Sequence, residues 1–299
     1  METEELKAYL KAGKIATQAK KNAAKSIKPG MKLLEIAEKI EKEILENEGK
    51  PAFPVNLSLN HNAAHYTPSF NDMTELQEND VLKVDIGVHV EGFIADCAFT
   101  LNPSNSHSKL LEASEKALQN ALSLVKPGLE IGKIGEEIEK TIKSFGFQPV
   151  YNLSGHGLQE FEAHAFPTIP NHANKDSKTL EDGTAFAIEP FATDGEGKVR
   201  EGGVAEIFSI EHPASCRGQT ARKILEFAEK EYKTLPFAER WIHNSLKLSE
   251  FERKIGLREL MQKGILHSYP VLHEMQGKLV SQAETSIVLN NAEVLILVE

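Results

Sequence analysis

The sequence predicts an α+β fold of two related halves, an antiparallel sheet covered by helices, with a helical subdomain inserted before the last strands. Three observations carry that reading. Residues 27–44 and 125–142 align at an offset of 98 with nine identities in 18 positions, including Lys-Pro-Gly and the I-x-E-x-IEK core. Such a match marks an internal duplication; two unrelated amphipathic helices would leave the paired Pro-Gly breaks unexplained. Residues 80–101, DVLKVDIGVHVEGFIADCAFTL, read as two strands rich in Val, Ile and Phe that fold back at Glu91-Gly92. Residues 216–269 show no strand alternation and read as three or more short helices.

Residues 3–24 come first, a charged amphipathic helix with Leu6, Tyr9, Leu10, Ile15 and Ala16 near helical spacing, unlike a signal peptide. Pro29-Gly30 then breaks the chain before the first repeat helix, and Pro127-Gly128 does so before the second. A polar, turn-rich stretch, PAFPVNLSLNHNAAHYTPSFND, leads into the hairpin. In that hairpin Asp85 is predicted to face Ala98, with Asp96 two residues back on the same face. Two bare carboxylates about 4 Å apart would repel by roughly 4 kcal/mol at an effective dielectric near 20, so they call for a cation or a shared proton. The alternative is that one Asp is a solvated edge residue.

The second half repeats the order: helix, then a His-bearing segment around His156, then a strand with Glu189 where the first half has an Asp. Residues 1–215 and 270–299 are therefore expected to form one domain and residues 216–269 a helical insertion. That block is about +4 in a chain of net charge −10. After it the chain returns to strands, with Glu284 in one of them and VLILV predicted to be a buried last strand.

At 299 residues the chain can build a core without disulfides. Cys97 and Cys216 are its two cysteines, which fits a reducing cytosol. No apolar run reaches the length of a membrane span. The net negative charge argues against nucleic acid as a specific partner. His61, His89, His107, His172, His212, His243, His267 and His273 are expected at the surface or in loops.

Asp85, Asp96, His156, Glu189 and Glu284 together make a hard, oxygen-rich set of four carboxylates and one imidazole. Cysteine is absent from it, which disfavours a Cys-His structural zinc site. Four negative charges balance two divalent cations, and paired metals suit hydrolysis. An ordinary hydrogen-bonded histidine is the bland reading of His156, and plain core packing that of Phe53 and Phe191.

The order Asp85, Asp96, His156, Glu189, Glu284, with ten residues between the aspartates, resembles the methionine aminopeptidases and their "pita-bread" relatives. AFPVNLSLNHNAAHYTP, VLKVDIGVHVEGFIADCAFT, SGHGLQEFEAH and FAIEPF carry the likeness. The helical block lies where type 2 enzymes have an extra subdomain, and the short N-terminus is similar to the compact archaeal form. The resemblance implies a duplicated pita-bread fold and two divalent metals (Co, Mn, Fe or Zn), with Asp96 and Glu284 bridging them. Asp85 would complete one metal's set, and His156 and Glu189 the other's. It implies attack of metal-activated water on the first peptide bond, Glu189 shuttling the proton, with His65 and His164 as catalytic histidines outside the metal shell. Phe53, Phe191 and Tyr269 would line the methionine pocket beside them. The implied substrates are N-terminal Met peptides and nascent chains with a small second residue. A monomer in the cytoplasm is expected; the basic block is read first as a structural buttress closing one side of the pocket, with transient ribosome contact as the alternative. A proline-specific aminopeptidase of the same fold, expected to need an extra N-terminal domain, and a non-catalytic relative binding ribosomes or nucleic acid are the alternatives.

Overall fold

The computed structural model describes residues 1–212 and 214–299. Helix α1 (Thr3–Ser26) starts at a capping box formed by Glu2 and Glu5. Its buried stripe is mostly small, Ala8, Ala12, Ala16, Ala19 and Ala23 among Tyr9 and Ile15, so the helix lies close on the sheet beneath. The rest of the first half is α2 (Leu33–Glu46), β1 (Lys50–Pro51), β2 (Asn56–Leu59), β3 (Asn62–Ala64), β4 (Leu82–Val90) and β5 (Phe93–Leu101). The second half has α3 (Ser108–Leu124), α4 (Ile131–Ser144), β6 (Gln148–Pro149), β7 (Ser154–Gln159), β8 (Glu162–Pro170), β9 (Ala185–Ile188), β10 (Phe191–Thr193) and β11 (Arg200–Ile210). The inserted block is α5 (Gln219–Glu231), β12 (Phe237–Ala238), α6 (Glu239–Leu246) and α7 (Glu250–Gln262). The chain then closes with β13 (Leu266–His273), β14 (Val280–Gln282), β15 (Glu284–Asn290) and β16 (Glu293–Ile296).

The duplication is structural. Helices α2 and α4 have 14 residues each and sit 98 residues apart, as do β1 and β6. Each is entered through a glycine at positive φ, Gly30 at 85° and Gly128 at 79°, a conformation in which a Cβ is strained. The amides of these glycines donate to Leu76 O and Leu180 O, both at 2.8 Å. Leu33 N and Ile131 N donate to Thr74 O and Lys178 O in the same way. The later anchors are 104 residues apart, and the same offset relates Asp85 to Glu189.

The main sheet runs β1-β4-β5-β15-β9-β7-β8, with β2 on β4 and β16 on β15, antiparallel at each pairing. Strand β15 joins the halves, pairing Glu284 with Ala98 of β5 and Thr285 with Ile188 of β9. One core lies between α1, α2 and the β4–β5 side, and another between α3, α4 and the β9–β15 side. This is the curled pita-bread architecture.

Three expectations are corrected. Strand β16 is an exposed edge, with Val294 and Ile296 37% and 47% accessible, and the burial belongs to Leu297 and Val298 beyond it. The insertion contains the short strand β12, and β13 already begins at Leu266, so Tyr269 stands on a strand and not at the end of a helix. His89 is buried in β4, where its Nδ1 accepts from Gly92 N at 3.1 Å and braces the hairpin turn.

Two of the block's positive charges are internal. Arg240 is buried against Glu41 of α2, Thr67 Oγ1 and Pro68 O, while Trp241 Nε1 donates to Glu41 Oε2 at 2.9 Å. Arg253 is buried against Glu239 and Leu248 O. A third core, centred on Phe208, Ile224, Phe237 and Leu260, fixes the helices to β11 and β13.

Candidate metal centre

Strand register builds the site. Asp85 faces Ala98, and Ala98 faces Glu284 on its other side, so the two acids flank one small residue across β4, β5 and β15. Asp96 is two residues along β5 and therefore on the same face as Ala98. Glu189 follows β9 immediately, next to Glu284 across the β9–β15 pairing. His156 comes from β7. Its Nδ1 donates to Gly157 O at 3.3 Å, which leaves Nε2 facing Asp96 Oδ2 at 3.8 Å and Glu189 Oε1 at 3.9 Å. Ligand atoms of Asp96, His156 and Glu284 all lie within 4.8 Å of one another.

Asp85, Asp96, Glu189 and Glu284 line one narrow cavity of about 70 Å³. His65, His156, His164, Phe53, Phe191 and Tyr269 line it too, so all ten residues named from the sequence meet there. A roomier groove of about 370 Å³ between α2 and α6 holds Glu38, Lys42 and Trp241 but, among the described residues, no converging set of ligands.

Electrostatics favour a cation. Burial first, and then the neighbouring carboxylates, hold Asp96 and Glu284 well above the usual carboxylate range, and Glu189 likewise. Burial pushes Asp85 up to about 7. The same burial pushes His156 down to about 3, so its imidazole is neutral and able to ligate. Oδ1 of Asp85 and Oδ1 of Asp96 are buried with no hydrogen-bond partner. Orphaned carboxylate oxygens beside a neutral imidazole are the donor set a divalent cation takes. The residues present, Asp96, His156 and Glu284 foremost, fit a divalent cation.

Around this centre the aromatic groups form a wall. His164 stands edge-on to His156 with centroids 4.6 Å apart, and Tyr269 is 6.0 Å from His164 and 5.6 Å from His65. His65 follows β3 with φ of +64°, a left-handed conformation a non-glycine residue holds only when its surroundings impose it. Burial pushes His65 down to about 4. Phe53 lies flat over Gly87 of β4, where any Cβ would come within 2.2 Å of the ring. That close approach is why a glycine interrupts this strand.

Sequence reasoning missed several members. Gln282 Nε2 donates to Glu284 Oε2 at 3.2 Å and Glu189 Oε2 at 3.4 Å, tying two acids together. Its place two residues before Glu284 is the signal that could have found it. Asn56, opposite Asp85 on β2, also lines the cavity. Ile207 and Pro236 bring β11 and the insertion to its wall. Of the histidines expected at the surface, His267 stands 4.7 Å from Tyr269, and His243 stacks on Phe70.

The chain is similar to known proteins in sequence and in fold. The profile of metallopeptidase family M24 matches residues 7–212. A methionine aminopeptidase of Archaeoglobus fulgidus is 44% identical over 291 residues, covering 97% of each chain. A solved structure of a thermophilic Arx1 superposes with a TM-score of 0.88 at 20% identity, covering 100% of this chain and 91% of that one. The methionine aminopeptidase of Rickettsia prowazekii does so at 0.71 and 17% identity, covering 100% and 98%.

Proposed function

The chain belongs to metallopeptidase family M24 and is a methionyl aminopeptidase, a metallo-exopeptidase; from that premise we propose that it is of type 2, with two divalent metals and a preference for a small residue after the methionine. The observation that carries the reading is the convergence of four carboxylates, Asp96 and Glu284 buried and Asp85 and Glu189 half-buried, with one neutral imidazole, drawn from both duplicated halves, on one cavity. Asp96 and Glu284 would serve both ions, Asp85 one of them, and His156 and Glu189 the other. When bound, Co²⁺, Mn²⁺, Fe²⁺ or Zn²⁺ would polarise the scissile carbonyl and make a water acidic enough to attack near neutral pH.

The chain's own groups do the rest. Glu189 stands at the edge of the acid cluster, hydrogen-bonded to Gln282, and would accept the water's proton and pass it to the leaving amine. His164 would hydrogen-bond the scissile amide, and His65 would sit at the pocket mouth and assist the transition state. Both are neutral near pH 7, so each can offer one donor and one acceptor. Phe53 and Phe191 would hold the methionine side chain, an unbranched thioether that packs well on aromatic rings. Tyr269, held by Ser209 Oγ at 3.1 Å, would close the far wall. The insertion, residues 216–269, contributes Pro236 to that wall and would act mainly as a buttress.

Among the described residues no helix is long and apolar enough to cross a membrane. Cys97 and Cys216 are both free and buried, which suits action on nascent chains in a reducing cytosol. Turnover of a Met-Ala-Ser peptide with added Co²⁺ or Mn²⁺ tests the reading. Cleavage abolished by a chelator supports it; cleavage of a Xaa-Pro peptide in its place would identify a proline-specific enzyme. No cleavage of either would favour a non-catalytic binding role.

A further inference from the structure

Lys83 of β4 takes no part in the chemistry above, yet it is 1% exposed and among the largest fully buried side chains. Among the described residues no carboxylate lies in salt-bridge reach of it. The acid whose charge it feels, Asp80, is already held by Asn60 Nδ2 and Gln77 N, both at 2.8 Å. Nζ donates instead to the carbonyl oxygens of Asn60 at 2.8 Å and Val81 at 3.4 Å. A methionine of similar length would fill this space without desolvating an amine. The lysine therefore has a task that only a donor can do.

Its surroundings show the task. Asn60, at φ +53°, opens the two-residue turn between β2 and β3. Asn60 N donates to Val81 O, Val81 N donates back to Asn60 Oδ1, and Asn60 O also accepts from Val280 N at the start of β14. One amine thus stands where β4, the β2–β3 turn and β14 meet. Each of the three leads into the site: β4 reaches Asp85 two residues on, β3 runs into His65, and β14 runs through Gln282 to Glu284.

We propose that Lys83 is a positioning residue, pinning the Asn60 turn between β4 and β14 and so setting His65 and Glu284 relative to Asp85. The proposal rests on the roles assigned above to those three residues. Lys83→Met, measured beside the parent enzyme, tests it. The variant is expected to melt no lower than the parent, while kcat on Met-Ala-Ser falls on the order of 10–100-fold with KM nearly unchanged. Calorimetric Co²⁺ binding is expected to weaken by about tenfold, as when a group that orients a ligand is lost. A lysine that merely supports the fold would lower the melting temperature and leave kcat per folded molecule intact, and that result overturns the proposal. If Lys83→Met does not fold, Lys83→Ala is titrated with methylammonium: recovered kcat supports the role, and none overturns it. Failure of the parent to cleave the peptide would instead strike the function proposed above.

Discussion

Under the proposed reading, Asp96 and Glu284 would be the side chains on which the chemistry depends most, because each would serve both ions. Asp96→Asn or Glu284→Gln is expected to lower turnover by more than about 100-fold, beyond the loss typical of a residue that only orients a ligand, and to weaken metal uptake. Steady-state kinetics with metal titration checks both, and near-normal turnover would remove the bridging roles. His65→Ala and His164→Ala should slow the reaction by about 10²–10⁴-fold with metal content intact; loss of metal would mean that they are ligands. At this scale the acids were legible because strand alternation fixes which of them share a face. Gln282 and Asn56 were not, since an amide in a strand carries no sign of what it faces. Ile207 and Pro236 depend on how the insertion packs, which no local pattern records.

Among the elements, the joint between the insertion and α2 is the most exposed to a single change. Arg240 and Glu41 are both buried, and their bonds to Thr67, Pro68 and Trp241 complete the network. Burial raises the Glu41 carboxyl while the guanidinium lowers it, so either group left alone is an uncompensated buried charge. Glu41→Gln is expected to lower stability by about 3–5 kcal/mol in denaturant unfolding; a change under about 1 kcal/mol would make the joint incidental. The repeat helices were legible to the residue, since the Pro-Gly breaks and the offset of 98 both survive in the structure. The second offset of 104 was hidden, because the anchoring segments around Leu76 and Leu180 share little beyond that leucine and the backbone geometry. The apolar tail misled in the other direction. Its hydrophobicity serves Leu297 and Val298 packed under α1, while the paired part of β16 stays at the edge.

In the molecule as a whole, protons and metal would compete for the same buried groups. Asp85 near 7, with Asp96, Glu189 and Glu284 held above their ordinary range, means that the metal-free fold keeps protons its unfolded chain has shed by pH 6.5. These groups stabilise the fold at low pH and lose that contribution as pH rises through their folded pKa values. The lowered His65 and His156 act oppositely, but their contribution is complete above about 6.5, the ordinary histidine value. Cations replace the protons, so the melting-temperature gap between Co²⁺-loaded and chelated protein should widen from pH 6.5 to 8. A gap independent of pH would separate the acids from metal binding. Charge also bears on partners. With Arg240 and Arg253 internal, ribosome contact through the insertion would fall to its exposed Lys and Arg. Unchanged co-sedimentation after their neutralisation would dispose of that idea.

Metal stoichiometry tests the central claim most directly. Protein freed of metal and titrated with Co²⁺ should take up two ions per chain, and anomalous scattering should place them about 3.5–4 Å apart among Asp85, Asp96, His156, Glu189 and Glu284. A single ion held elsewhere, with all five groups uncoordinated, would contradict it.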